Sequence, residues 1–228
     1  MNSSTIGAVV VAAGSGTRLG ADQPKALVEV AGRPLVCWAV ACLTEASVPP
    51  PVVVHPPGMR ADFAVALAGF DLAALVDGGE TRTDSVRAGV AALSRTVERV
   101  VVHDAARPLV PPTVVTAVLD AVAGDVVAAA PALRIADTVK RVDGSAVVAT
   151  VDRSDLVVVQ TPQVFAHAAL DAVLAIAVSA TDELALVEQE VAAGRLRGRV
   201  VVVAGSVHAH KVTTLDDLRF VEQLARGV

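Results

Sequence analysis

Arg18 and Lys25 flank the end of a glycine-rich stretch, Ala12-Ala13-Gly14-Ser15-Gly16-Thr17-Arg18-Leu19-Gly20, with Pro24 just before the lysine. The stretch follows an apolar, β-branched run from Ile6 to Val11. Glycines let a chain turn tightly and bring its N–H groups against an anion with no side chain in between. A guanidinium and an ammonium add fixed positive charge where a polyphosphate would lie. The chemistry this suggests is binding of a phosphate-bearing ligand, a nucleotide before others. The stretch is not a P-loop, since no lysine follows Gly20. Nor is it the dinucleotide fingerprint: its third glycine comes one residue late, and no acid lies between Val30 and Thr44. On this stretch alone, a plain strand-to-helix turn without a ligand stays open.

Three further clusters carry polar chemistry. Val102-His103-Asp104-Ala105-Ala106-Arg107-Pro108 ends a valine-rich run with an acid and a base. Asp104 suits Mg²⁺ or another divalent cation, which takes carboxylate, phosphate and water oxygens; it could instead cap a helix at Pro111 or pair with Arg107. In Asp77-Gly78-Gly79-Glu80-Thr81-Arg82-Thr83-Asp84-Ser85-Val86 the glycines allow close approach of a planar base, and Ser85 could reach a base edge. The same segment reads as a tight turn capped by Thr83 or Asp84. Near the C-terminus, His208 and His210 form an H-x-H pair with no third ligand, a weak metal signal. Lys211 beside them could close over a ligand from that side. Thr181 reads as the N-cap of a helix.

These groups need a frame that brings them together. Apolar strand candidates are Ile6–Ala12, Pro51–His55, Leu72–Val76, Arg99–His103, Val126–Ala130 and Val200–Val203. Several are unbroken valine runs, as in strands buried on both faces of a parallel sheet. Helical patterns cover Pro34–Ala46, Arg60–Ala68, Thr83–Leu93, Pro111–Ala123, Ala166–Val178, Asp182–Ala192 and Leu215–Ala225. The prolines at 34, 111 and 112 suit first turns. The alternation predicts an α/β fold, a doubly wound, mostly parallel sheet, with ligands at the carboxyl ends of the strands. It breaks at Ile135–Val142, Asp143-Gly144-Ser145 and Ala146–Val151, which read as a protruding β-hairpin arm. A two-stranded ribbon is marginal alone and must pack on something, most simply another subunit. We therefore expect one domain over 1–228, with 134–159 as a β-arm subdomain for dimerisation and a homodimer as the assembly.

Composition narrows the partners. The 228 residues are 54% apolar, with no tyrosine and one tryptophan, and carry a net charge of −5. Such a chain has no global basic field, so nucleic acid is not expected. No apolar run approaches the roughly 18–20 residues of a membrane span, and Met1 to Thr5 is polar and short, so neither membrane nor signal peptide is expected. Cys37 and Cys42, the two cysteines, read as buried reduced thiols of a cytoplasmic protein.

In order along the chain, these motifs resemble the 2-C-methyl-D-erythritol 4-phosphate cytidylyltransferase family. The resemblance is carried by the Ala12–Gly20 loop with Pro24-Lys25, Gly78-Gly79 with Arg82 and Ser85-Val86, His103 to Pro108, Asp137-Thr138-Val139-Lys140-Arg141, Thr150-Val151-Asp152-Arg153, Gln160-Thr161-Pro162-Gln163-Val164-Phe165, Thr181-Asp182-Glu183 and Lys211-Val212-Thr213. It implies a Rossmann-like nucleotidyltransferase that joins CTP to 2-C-methyl-D-erythritol 4-phosphate and releases pyrophosphate, in non-mevalonate isoprenoid synthesis. It further implies that Ala12, Ala13, Gly14, Gly16, Gly79, Arg82, Ser85, Asp104 and Ala105 bind the nucleotide, and that Arg18, Lys25 and Lys211 are the catalytic cations. Asp104 would hold Mg²⁺. Arg107, Thr138 and Thr161 would lie around the polyol phosphate, joined by Arg153 from the partner subunit's arm. The chain departs from the family in two places: Ala209 stands where asparagine is usual, and His210 takes an aliphatic position. The alternatives are a ribitol-5-phosphate cytidylyltransferase and a non-catalytic nucleotide-binding protein.

Overall fold

The computed structural model describes residues 5–14, 16, 23–176, 180 and 182–227. Arg18 and Thr181, with Ser15, Thr17, Leu19, Gly20 and Val178, lie outside the described residues.

The first strand, β1 (Ile6–Val11), is followed by a 3₁₀ turn at Lys25–Leu27, two short strands β2 (Glu29–Val30) and β3 (Arg33–Pro34), and helix α1 (Leu35–Glu45). Next come β4 (Val52–His55), α2 (Arg60–Ala66), β5 (Ala74–Asp77), α3 (Arg82–Ala91), β6 (Arg99–Asp104), α4 (Pro112–Ala121) and β7 (Val126–Arg134). A hairpin of β8 (Val139–Asp143) and β9 (Ala146–Val151) leads to β10 (Val157–Val159), β11 (Gln163–Ala166), α5 (His167–Ile176) and α6 (Glu183–Ala192). The chain closes with β12 (Arg199–Ala204) and α7 (Leu215–Ala225).

Among the described residues, the central sheet has eight strands. From one side it runs β5, β4, β1, β6, β11, β7, and β12 lies parallel to the far side of β7. Neighbours β5, β4, β1 and β6 pair in parallel, as the valine runs predict. Two strands break the pattern. β11 runs antiparallel between β6 and β7, and β10 is antiparallel to β7. Gln160 to Phe165 does not lie in a single strand. Instead the chain leaves β10, passes a cis Thr161–Pro162 bond and starts β11.

Alternate residues of these strands feed two different cores, which is why the runs are continuous. Val10, Val53 and Val101 face α1, α2 and α4; Val9, Val54, Val100 and Val102 face α3, α5 and α6. Phe63 and Phe165, both fully buried, anchor the two sides. Burial of such a side chain is worth about 1.5–3 kcal/mol. Helix α3 lies so close to the sheet that a Cβ on Gly89 would come within 2.4 Å of Val9 Cγ1. A third, smaller cluster joins Leu35, Leu109, Val212 and Val221, with Trp38 packed against it. Trp38 donates its indole N–H to the Val30 carbonyl (3.0 Å), and the Arg33 guanidinium lies 4.8 Å from its ring centroid.

Helix starts differ from expectation in detail. Pro34 is the N-cap of α1 rather than its first residue. Helix α3 begins one residue early because Thr81, not Thr83 or Asp84, is the cap, in a capping box with Asp84. Asp182 caps α6 by accepting from the Ala185 N–H. The hairpin β8–β9 forms its own two-stranded sheet and starts later than predicted, at Val139. Gly144 makes its turn at φ 57°, and Val142, Val147 and Val148 are exposed along it. No described helix is long and apolar enough to cross a membrane.

Candidate active site

The carboxyl ends of β1, β5 and β6 open onto one cleft of about 370 Å³. Its walls are Val11 to Gly14 after β1, Gly79 to Arg82 and Ser85 after β5, and Asp104 to Ala106 after β6, closed by Lys25 and Lys211. Register explains the convergence: Val11 pairs with Asp104, so the glycine loop and the acid leave adjacent strands at the same height. The structure thus brings together Ala12, Ala13, Gly14, Lys25, Gly79, Arg82, Ser85, Asp104, Ala105 and Lys211 of the predicted site residues. Gly16 sits beside Lys25 at φ +71°, and a Cβ there would come within 2.9 Å of Lys25 Cβ.

Asp104 is the electrostatic centre of the cleft. Its Oδ1 accepts from Arg82 Nη2 (3.0 Å) and Nε (3.2 Å), and its Oδ2 accepts from Lys211 Nζ (2.6 Å). It neither caps the helix at Pro111 nor pairs its carboxylate with Arg107. Burial alone would raise its pKa, but the Arg82 guanidinium and the Lys211 ammonium outweigh that and hold the carboxyl well below the usual carboxylate range. Lys25 Nζ donates to the Val212 carbonyl (3.2 Å), so both lysines approach the segment that carries Lys211. Ser85 Oγ accepts the Gly79 N–H (3.2 Å) and donates to the Thr81 carbonyl (3.1 Å), which shapes the glycine turn where a base would lie.

Arg82 has a second partner that the sequence reading did not single out. Its Nη1 donates to Oε2 of Glu183, which is completely buried. Burial pushes the Glu183 carboxyl up, opposed by Arg82. Its other oxygen, Oε1, has no hydrogen-bond partner among the described residues. The signal in the sequence was the Thr181-Asp182-Glu183 motif, for which helix capping by Thr181 is the favoured reading.

Behind Asp104, one chain of hydrogen bonds fixes the strand end. Asp104 N–H donates to Thr161 Oγ1 (3.1 Å), Thr161 faces His103 Nδ1 (3.0 Å), and His103 Nε2 lies 3.2 Å from the Arg107 carbonyl. A carbonyl only accepts, so the ring proton is on Nε2 and the Thr161 hydroxyl donates to Nδ1. Burial lowers the His103 pKa to about 4, which keeps the ring neutral. Thr161 is therefore buried with its one proton committed to this chain. Arg107 also works on backbone: it donates to the carbonyls of Ala209 (2.7 Å) and Val159 (3.4 Å) and does not line the cleft. Thr138 and Arg153 are exposed at the base of the arm, outside the cleft of their own chain.

Residues 6–226 match the family model IspD: 2-C-methyl-D-erythritol 4-phosphate cytidylyltransferase. The chain belongs to this family. It is 44% identical to the 2-C-methyl-D-erythritol 4-phosphate cytidylyltransferase of Nocardia farcinica, over 98% of this chain and 95% of that protein. It is 50% identical to the bifunctional enzyme IspD/IspF of Clavibacter michiganensis, over 96% of this chain but about half (54%) of that longer protein. The crystal structure of the Thermus thermophilus cytidylyltransferase superposes with a TM-score of 0.81 at 33% identity, over 97% of this chain and 99% of the other. The resemblance seen in the motifs and the fold expected from it both hold, and this chain is an enzyme of the cytidylyltransferase class. The ribitol 5-phosphate alternative is not favoured.

Among the described residues no group of three or more His, Cys, Asp or Glu side chains could hold a metal. His210 turns instead to Asp217 (2.7 Å). A divalent ion at a nucleotide commonly needs only one or two carboxylates, the rest coming from phosphates and water. Asp104 fits that donor set: it is a hard oxygen donor held ionised at the cleft, its Oδ2 bonded to Lys211.

Proposed function

We propose that the cleft binds CTP and that an oxygen of 2-C-methyl-D-erythritol 4-phosphate attacks the α-phosphorus in line, releasing pyrophosphate and forming 4-diphosphocytidyl-2-C-methyl-D-erythritol. The observation that carries this is the meeting of Lys25, Arg82, Asp104 and Lys211 at one end of a glycine-lined cleft. The nucleophile is already an anion at neutral pH, so no strong base is required. The difficulty is bringing two polyanions together and stabilising the extra charge that develops on the α-phosphate. Fixed cations in a partly buried site do this without reorganising during the reaction.

Lys25 and Lys211 face the crowded phosphorus in this reading, and Arg18 holds the departing β,γ end. The Gly79 and Ser85 region reads cytosine, and backbone N–H groups of Ala12 to Gly16 hold phosphate. Asp104 orients Lys211 and Arg82 and, with substrate phosphates, would hold Mg²⁺ or another divalent cation. When bound, that cation would supply further neutralisation of phosphate charge.

Thr138 and Arg153 lie on the exposed arm, and the arm's valines present apolar surface to solvent. Both features support a homodimer in which one subunit's Arg153 reaches the partner's polyol phosphate. The free, buried thiols of Cys37 and Cys42 support a reducing, cytoplasmic setting.

The reading is tested by pyrophosphate release from CTP, UTP, ATP and GTP with 2-C-methyl-D-erythritol 4-phosphate or ribitol 5-phosphate. CTP with the methylerythritol substrate should dominate. Faster release with ribitol 5-phosphate, or release that needs no polyol phosphate, would overturn it.

A further inference from the structure

The segment from Ser206 to Thr214 gathers contacts from most of the cleft. Arg107 donates to the Ala209 carbonyl, Lys25 to the Val212 carbonyl, and Lys211 to Asp104, while the Val212 N–H donates to the Ala106 carbonyl (2.8 Å). Each end of the segment has its own anchor. At the start, the Gln160 amide makes both bonds to the Ser206 backbone, 2.8 and 3.0 Å. At the finish, Oδ2 of Asp217 collects the N–H and hydroxyl groups of Thr213 and Thr214.

Oδ1 of Asp217 accepts from Nε2 of His210 at 2.7 Å. The His210 ring also packs edge-on against Phe220 of α7, with centroids 5.1 Å apart. His210 has backbone φ −59° and ψ 137°, in the polyproline II range. The bond to Asp217 and the contact with Phe220 thus hold on α7 the residue directly before Lys211, while Lys211 itself reaches Asp104 at the cleft.

We propose that His210, held by Asp217 and Phe220, is a positioning residue for the Lys211 ammonium. The bridge acts on the backbone dihedrals of the neighbouring residue, not on substrate. Its absence leaves Lys211 its charge but loosens the geometry with which that charge meets the cleft. The proposal rests on the reading that Lys211 acts at the transferred phosphate.

Two variants test it, His210→Ala and His210→Gln, with the full-length enzyme as reference. Steady-state pyrophosphate release gives kcat and KM, and hydrogen exchange of the peptide spanning 207–214 reports on the segment directly. Misplacement of a reacting group by about 1 Å costs up to 10²-fold. We expect kcat of His210→Ala to fall between about 10- and 100-fold, with KM for CTP within about twofold. Exchange at Lys211 to Thr213 should rise while that of β6 stays unchanged. His210→Gln, whose amide can still donate to Asp217, should recover most of kcat and protection. The proposal is overturned if kcat of His210→Ala stays within about twofold of the parent. It is also overturned if kcat falls with no change in exchange at 211–213, or if the glutamine variant is as impaired as alanine. A parent enzyme without turnover would sink the transfer reading instead, and the exchange comparison would still decide the tether.

Discussion

Lys211 and Asp104 are 107 positions apart in the chain, yet their charged atoms meet at 2.6 Å. The contact joins the loop before α7 to the end of β6. Asp104 thus holds the Lys211 ammonium at the cleft. Lys211→Ala should lower kcat by about 10²–10³-fold, the typical cost of losing one preorganised charge. Lys25→Ala should behave alike. Single-turnover release of pyrophosphate at saturating CTP and polyol phosphate checks both, and normal turnover in either variant would remove that residue from the mechanism.

Arg82 is shared between Asp104 and the fully buried Glu183. Breaking a buried pair by deleting one partner typically costs about 3–5 kcal/mol. Glu183→Ala should lose stability in that range and weaken CTP binding, because Arg82 then loses one of its two supports. Glu183→Gln, which keeps an acceptor for Arg82, should lose less. Urea unfolding and isothermal titration with CTP separate the two effects; equal stability of all three proteins would show that the pair is not structural.

Asp217 sets an acid limb of stability. Burial raises its pKa, but hydrogen bonds from Thr213, His210 and Thr214 prevail and hold it well below the usual carboxylate range. A carboxyl lowered in the folded state stabilises fully above its unfolded pKa of about 3.9 and loses that contribution as pH falls below it. Asp217→Asn should therefore flatten the stability profile below about pH 4 relative to the parent. Urea midpoints at a series of acidic pH values measure this, and parallel profiles would refute it.

The arm carries a prediction of its own. If Arg153 serves the partner's cleft, Arg153→Ala and Lys25→Ala subunits should be nearly inactive apart and regain activity when mixed. A mixed dimer has one cleft with both residues intact. Absence of recovery, with subunit exchange verified by mass, would place Arg153 outside the partner's site.

Packing of α3 on the sheet leaves no room at Gly89. Gly89→Ala would force Val9 Cγ1 and Val54 Cγ2 aside, since the added carbon would lie 2.4 and 2.9 Å from them. Overpacking of this kind costs about 1–3 kcal/mol. For a chain of this size that is a fall in Tm of about 2–4 °C per kcal/mol. An unchanged Tm would mean that α3 shifts freely, and the Arg82 and Ser85 positions with it.

What could be read in advance followed from periodicity and from residue type. Unbroken valine at 52–54 and 100–102 means burial on both faces, and the parallel strands lie there. The glycine loop, Asp104 and Lys211 were legible because few residue types can do their chemistry. Long-range pairing was not. Nothing local says that Arg82 reaches across 101 positions to Glu183, or that Gln163 to Ala166 turns back between β6 and β7. Thr81 lost out to Thr83 and Asp84 as the expected cap because all three are good caps, and only the reciprocal Thr81–Asp84 bonds distinguish them. Nor could the sequence show that Thr161 bonds the end of β6 or that Arg107 bonds the Ala209 carbonyl. A hydroxyl or guanidinium in sequence does not reveal which acceptor claims it.

With no tyrosine and Trp38 as the lone indole, the chain carries a built-in optical reporter. That ring packs against the small cluster holding Val212 and Val221, away from the two large sheet cores. Its emission will therefore register how tightly α7 seats the loop bearing Lys211. A nucleotide titration followed at the wavelength of tryptophan would report on the Lys211 side of the cleft without any added dye.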